Sequence, residues 1–120
     1  MSRDHRKLRV FALADGLVTK IYPLTQHFPA TERFGLQMQL RRAAVSAACN
    51  IVEGCARRST SEYLNFLNIA AGSASEARYL VEISCRLGFM GEKEGQAATA
   101  RYTELAAGLE ALIQSLSPEP

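Results

Sequence analysis

Apolar residues return every three or four positions along most of this chain, which is the period of one face of a helix. In the first segment Phe11, Ala14, Val18, Ile21, Thr25 and Phe28 keep that spacing. Pro23 falls late in the pattern. It lacks a backbone donor and is expected to kink or end the helix near Tyr22. A second helix is expected to open at Ala30 or Thr31, with Glu32 in its first turn, and to run to Gly54 or Cys55. Gly54 is the candidate C-terminal cap. Ser59-Thr60-Ser61-Glu62 has the form of a capping box, with Ser59 capping a third helix and Glu62 reaching back to it. That helix extends to about Leu87 and stops at Gly88. Gly91 precedes a fourth, where Ala98, Tyr102, Leu105, Leu109, Leu112 and Leu116 alternate by four and three. Ser117–Pro120 reads as a frayed tail. The expected helices are roughly 8–25, 31–55, 60–88 and 92–116, within one domain spanning 1–120. Short connectors favour antiparallel neighbours. The expected fold is all-α, an antiparallel up-down-up-down four-helix bundle.

The second helix carries more apolar surface than such a bundle needs. Leu36, Leu40, Ala43, Ala44, Ala47 and Ile51 form one stripe. Met38, Val45, Ala48, Cys49 and Val52 form another, almost opposite, and a polar seam of Gln39, Arg42, Ser46, Asn50 and Glu53 separates them. In the third helix Tyr63, Leu67, Ala70, Ala74, Ala77 and Val81 face one way, and Ile69, Leu80, Ile83 and Leu87 are expected to widen that face. A surplus stripe left in water marks an interaction surface. The expectation is a symmetric homo-oligomer, with Met38, Val45, Cys49 and Val52 as candidate interface residues. Spacing alone does not decide which stripe of the second helix faces the core.

Composition narrows the chemistry. At 120 residues, 48% hydrophobic and 22% charged, the chain can bury a core without metals or disulfides. No apolar run approaches the roughly 18 residues of a membrane span. The first residues lack a signal peptide's apolar centre. A cytoplasmic protein without membrane association is expected. The three cysteines fit no zinc spacing, and His5 and His27 have no paired ligand nearby. No metal and no cofactor are therefore expected. Glu-x-x-His, His-Glu-x-x-His, a phosphate-binding loop and Gly-x-Ser-x-Gly do not occur. Cys55 lies near Arg57 and Arg58, a setting that can lower a thiol pKa. Glu53 and Glu62 offer paired carboxylates. No histidine base accompanies either, so no catalytic residue is assigned and the expectation is a protein that is not an enzyme.

Charge adds a candidate site. Residues 1–60 hold ten Lys/Arg against four Asp/Glu, a balance of +6, and residues 61–120 hold four against eight, a balance of −4. In an up-down bundle the start of the first helix shares an end with the second connector. That groups Arg3, Arg6, Lys7 and Arg9 with Arg57 and Arg58, against Asp4, Glu53 and Glu62. Such an end attracts nucleic-acid phosphates in a salt-dependent way, without reading sequence. The candidate nucleic-acid contacts are Arg57, Arg58, Arg6, Lys7 and Arg9, with Arg41 and Arg42 added from the second helix. The expected partners are RNA or DNA, or a nucleic-acid-processing protein. The competing reading is a protein-interaction scaffold with no nucleic-acid role.

The segments KLRVFALADGLVTKIYPLTQHFP, FGLQMQLRRAAVSAACNIVEG and RRSTSEYLNFLNIAAGSASEARYLVEISCRLGF resemble the 23S rRNA-intervening-sequence proteins, also called the S23 or four-helix bundle protein family. The resemblance covers about Lys7 to Phe89, with a looser match through the last helix. It implies an antiparallel four-helix bundle assembled as a homopentamer, with no established enzymatic activity. The related accessory variability proteins of diversity-generating retroelements are similar pentameric barrels that bind nucleic acid and a reverse transcriptase. By this resemblance Arg41, Arg42, Arg57 and Arg58 match family motif positions, and no catalytic residue carries over. The family typically has proline where Ala48 stands and none at Pro23, so a straighter second helix and a more kinked first are expected.

Overall fold

The computed structural model describes residues 3–117; residues 118–120 of the expected tail lie outside them. Four helices account for most of the chain: α1 Arg9–Thr25, α2 Met38–Cys55, α3 Thr60–Arg86 and α4 Glu92–Leu116. No strand occurs among the described residues. The helices fill a body of 45 × 23 × 22 Å. α1 and α3 each pack against both α2 and α4, so the four form a square in cross-section.

Cross-links between the helices fix their directions. The Arg3 amide donates to the Cys55 carbonyl at 2.8 Å, joining the segment before α1 to the end of α2. The Gln37 side-chain amide donates to the Thr25 carbonyl at 2.7 Å, joining the other two ends. The Ser46 and Ser73 hydroxyls meet at 2.8 Å, and Gln39 Nε2 donates to Glu76 at 3.4 Å, so early α2 lies beside late α3. Arg9 reaches Glu104 in the middle of α4 at 3.0 Å and Val10 packs at Gly108, so early α1 lies beside the middle and second half of α4. Neighbours therefore run antiparallel.

The core is the inner face of each helix. In α1 the buried ridge is Val10, Ala14, Leu17, Ile21 and Thr25. This ridge is rotated from the expected one, because Phe11 and Val18 sit half-buried on its flank. In α2 the buried stripe is Leu40, Ala43, Ala44, Ala47 and Ile51, joined by Ala48 at the margin. The stripe of Met38, Val45, Cys49 and Val52 therefore points outward. In α3 Leu80 joins the core, but Ile69 and Leu87 stay exposed and do not widen it. Tyr102 is buried in α4 and its hydroxyl has no hydrogen-bond partner among the described residues. Burial pushes its phenol pKa well up.

The start of α2 and the role of Gly54 differ from expectation, whereas α1 ends at Thr25, its expected bound, and does not break earlier at Tyr22. Pro23 sits in the last turn, where it removes only one helical donor, and terminal carbonyls find side-chain donors from outside the helix. Arg41 donates to the Tyr22 carbonyl at 3.0 Å and Gln37 to the Thr25 carbonyl at 2.7 Å. Regular α2 begins at Met38 rather than at residue 31. Before it come a 3-10 turn, Ala30–Glu32, and a wider π-type turn, Arg33–Gln37, in which Gly35 leaves helical geometry at φ −105°, ψ −115°. The Glu32 carboxylate accepts from the Leu36 amide at 3.0 Å and holds this turn. Gly54 is not a cap; it lies buried within α2, and Ala56 follows the helix in ordinary right-handed geometry. A Cβ at Gly54 would stand 3.0 Å from Phe66 Cβ and 3.1 Å from Tyr63 Cδ1, so glycine is there for close α2–α3 approach. The other two signals hold. Ser59 accepts from the Glu62 amide at 3.1 Å and donates its hydroxyl to the Glu62 carboxylate. Gly88 ends α3 at φ +81°, a conformation open to glycine at little cost.

Candidate interaction surfaces

The two ends of α2 carry different surfaces. At its C-terminal end the Arg3–Cys55 hydrogen bond draws the N-terminal segment against the α2–α3 connector. Two aromatic rings next to Gly54 then become platforms for arginines. The Arg3 guanidinium lies 4.0 Å from the Tyr63 ring centroid, and that of Arg57 lies 4.8 Å from Phe66. Stacking of this kind orients a guanidinium, and Arg3 Nη1 and Arg57 Nε are themselves buried with no hydrogen-bond partner among the described residues. Several of these cations already have carboxylate partners. Arg6 pairs with Asp4 at 3.0 Å, Arg57 with Glu53 at 3.1 Å and Arg9 with Glu104 at 3.0 Å. The Arg6 guanidinium holds the Asp4 carboxyl below its ordinary pKa. Lys7 and Arg58 have no ion pair among the described residues. Glu104 was not among the acids expected at this end, because only the segments flanking α1 and the connector were counted. The signal was available, since the second half of an antiparallel α4 must return here.

Cys55 is buried, and desolvation pushes its pKa up rather than down. The neighbouring Tyr63 phenol is pushed up to about 12, again chiefly by burial. Glu53 and Glu62 are each engaged separately, with Arg57 and Ser59. The three cysteines are free, with Cys49 exposed and Cys85 half-buried. Among the described residues no group of three His, Cys, Asp or Glu is placed to hold a metal ion.

Arg41 and Arg42 do not join this surface. Arg41 lies 14 residues before Cys55, the last residue of α2, about 21 Å along the helix axis, and Arg57 follows in the connector beyond that end. Arg41 is the clamp on the end of α1. Its Nε donates to Thr25 Oγ1 at 2.8 Å, its Nη2 to the Tyr22 carbonyl at 3.0 Å, and its guanidinium stacks 4.5 Å from the Tyr22 ring centroid. Replacing Arg41 by alanine is expected to lower folding stability by about 2 kcal/mol, the scale of hydrogen bonds from a charged donor. Urea titration followed by circular dichroism reads this loss, and an unchanged midpoint would show that the clamp is energetically idle.

The outward stripe of α2 forms the second surface. A groove of about 650 Å³ runs along it, lined by Tyr22, Phe34, Met38, Val45 and Cys49 among others, with Arg33, Arg41 and Arg42 and no carboxylate. Three of the four candidate interface residues line it; Val52, half-buried, continues the stripe beyond. Sequence spacing missed Tyr22, Arg33 and Phe34. Phe34 stands 78% exposed, the most exposed of the large apolar side chains. Gly35 was the available sign that the helical register breaks beside it.

These features define a four-helix bundle with one apolar face left over. Comparison with known proteins places it more closely. A family model described as 23S rRNA-intervening sequence protein matches residues 6–111, and the chain belongs to that family. A crystal structure of a protein of unknown function from the S23 ribosomal protein family of Bacteroides thetaiotaomicron has the same fold. It shares 24% identity and a TM-score of 0.80, over 88% of this chain and 95% of that one. No curated protein matches this chain. Among the described residues no helix is long and apolar enough to cross a membrane.

Proposed function

We propose that this family member is a non-enzymatic, homo-oligomeric, cytoplasmic bundle that binds RNA or DNA, or a nucleoprotein, through its basic end. The observation that carries the reading is the Arg3–Cys55 hydrogen bond, which sets Arg3, Arg6 and Lys7 beside Arg57 and Arg58. Ion pairs reduce the net charge of this end but leave Lys7 and Arg58 free for phosphate. The stacked Arg3 and Arg57 are held in place, so they lose little side-chain freedom on contact. Self-association around an axis, as a pentamer or another closed ring, multiplies the basic end. Binding then draws on several weak phosphate contacts and is steep in salt.

A mobility-shift titration of RNA and DNA at low salt tests this. Binding is expected to weaken sharply as salt rises. The double variant Lys7→Glu, Arg58→Glu is expected to flatten the log–log salt slope by about 2 for each protomer engaged. Absence of binding to either nucleic acid at low salt defeats the reading. The outward α2 face supports a second reading, in which the bundle docks a partner protein instead. Recovery of a partner from nuclease-treated extract, together with no nucleic-acid binding, favours it.

A further inference from the structure

We propose that the outward α2 face of one copy docks into the α3–α4 groove of the next, with Phe34 as the apolar anchor and Arg33 and Arg42 opposite Glu82 and Glu92. The proposal rests on the self-association reading above and names its second surface.

The first half of the interface is built rather than frayed. Glu32 holds the turn that carries Phe34, and Gly35 lets the backbone leave helical geometry there. Arg41 is committed to α1. Arg33 and Arg42 are exposed and have no carboxylate partner among the described residues. An apolar knob flanked by two uncommitted cations calls for an apolar recess with an acidic rim.

The α3–α4 groove has that chemistry. It encloses about 450 Å³, and its lining includes Tyr79, Glu82, Cys85, Glu92 and Gly95. Tyr79 is 54% exposed, the largest apolar exposure on α3. Gly95 brings α4 so close that an added Cβ would collide with Cys85 Sγ, so the floor is made of small groups. Arg86 is the one cation in the lining, against two glutamates, of which Glu82 also meets Arg78 at a loose 4.0 Å. Glu92 and Glu94 both add to the raised pKa of the Cys85 thiol, behind burial, which is the sign of a negative potential in this recess.

The two surfaces also lie at the same level. The start of α2 faces late α3 through the Gln39–Glu76 bond, and the α3–α4 groove sits beside the short connector that ends α3. One surface is on the outer side of α2 and the other between α3 and α4, so one copy can engage two neighbours at once. A head-to-tail contact of this kind closes into a ring when the rotation closes.

Light scattering at micromolar concentration is the test, with circular dichroism confirming helical content. The wild type is expected as an oligomer. Arg33→Glu with Arg42→Glu is expected to reduce it to the 13.2 kDa chain, and so is Glu82→Arg with Glu92→Arg. The quadruple variant, which exchanges both signs within one chain, is expected to restore the assembly whatever its subunit number. Phe34→Ser is expected to dissociate it without changing charge. An oligomeric wild type whose mass survives either reversal overturns the pairing and leaves self-association standing. Failure of the quadruple variant to reassemble also overturns the pairing. A monomeric wild type defeats both readings together.

Discussion

Replacing Gly54 by leucine is expected to cost the bundle about 3 kcal/mol, the upper part of the usual range for overpacking a core. The site has no room on its α3 side. A Cβ there already meets Phe66 at 3.0 Å and Tyr63 at 3.1 Å, with the Tyr63 carbonyl at 3.4 Å. Neither aromatic can retreat freely. Tyr63 is buried, and the two rings carry the Arg3 and Arg57 guanidiniums. Three further carbons must therefore push α2 and α3 apart or force strained rotamers. Alanine is the discriminating control. It gains roughly 1 kcal/mol of helix propensity over glycine, set against contacts a few tenths of an ångström too close, and its net effect is expected to stay within about 1 kcal/mol. Chemical denaturation measures both. A leucine variant as stable as the wild type would mean that the helices separate at no cost and that close approach is not the role of Gly54.

Gly54 also shows where sequence reading reached its limit. Helix number, order and most boundaries followed from the apolar period, because burial of one face is a property of each segment on its own. The capping box at Ser59 and the stop at Gly88 were legible for the same reason, since each acts within a few residues. A glycine near a helix end has two physical meanings, a left-handed cap or a close approach. Only the position of Tyr63 and Phe66 on another helix separates them. The bound of α1 at residue 25 was legible in the sequence, but the way the helix passes Pro23 was not. Pro23 marks a local break, but Gln37 and Arg41, distant in sequence, supply the donors that let the helix continue. The outward stripe of α2 was visible as surplus apolar spacing, and its inner and outer faces became distinct once α1 and α3 were placed beside it. Phe34 was hidden because an unbroken helix was expected from residue 31. The clustering of basic residues at one end followed from topology; the carboxylate of Glu104 that offsets part of it comes from the last helix, through the same topology.

In the proposed assembly, replacing Val45 by aspartate is expected to abolish self-association while leaving the bundle folded. Val45 lies in the middle of the outward stripe, half-buried, between Met38 and Cys49 in the same groove. In the isolated chain an aspartate there can reach water, and its cost is expected to stay near 0.5 kcal/mol, as for other surface changes. In an assembled interface the same carboxylate is desolvated against an apolar neighbour, a penalty of several kcal/mol. A loss of about 3 kcal/mol per contact weakens association more than a hundredfold. In the proposed ring every contact carries the change, so micromolar protein is expected to run as a 13.2 kDa monomer. Light scattering reads the mass and denaturation confirms the fold. An oligomer of unchanged mass would place the interface elsewhere. The same variant links assembly to function, because Val45 is far from Lys7, Arg57 and Arg58 along the bundle. If nucleic acid is held by basic ends gathered around an axis, the monomer engages fewer phosphates. Its binding is then expected to be weaker and its salt dependence shallower. A monomer that binds with the wild-type slope would show that a single basic end is the whole site.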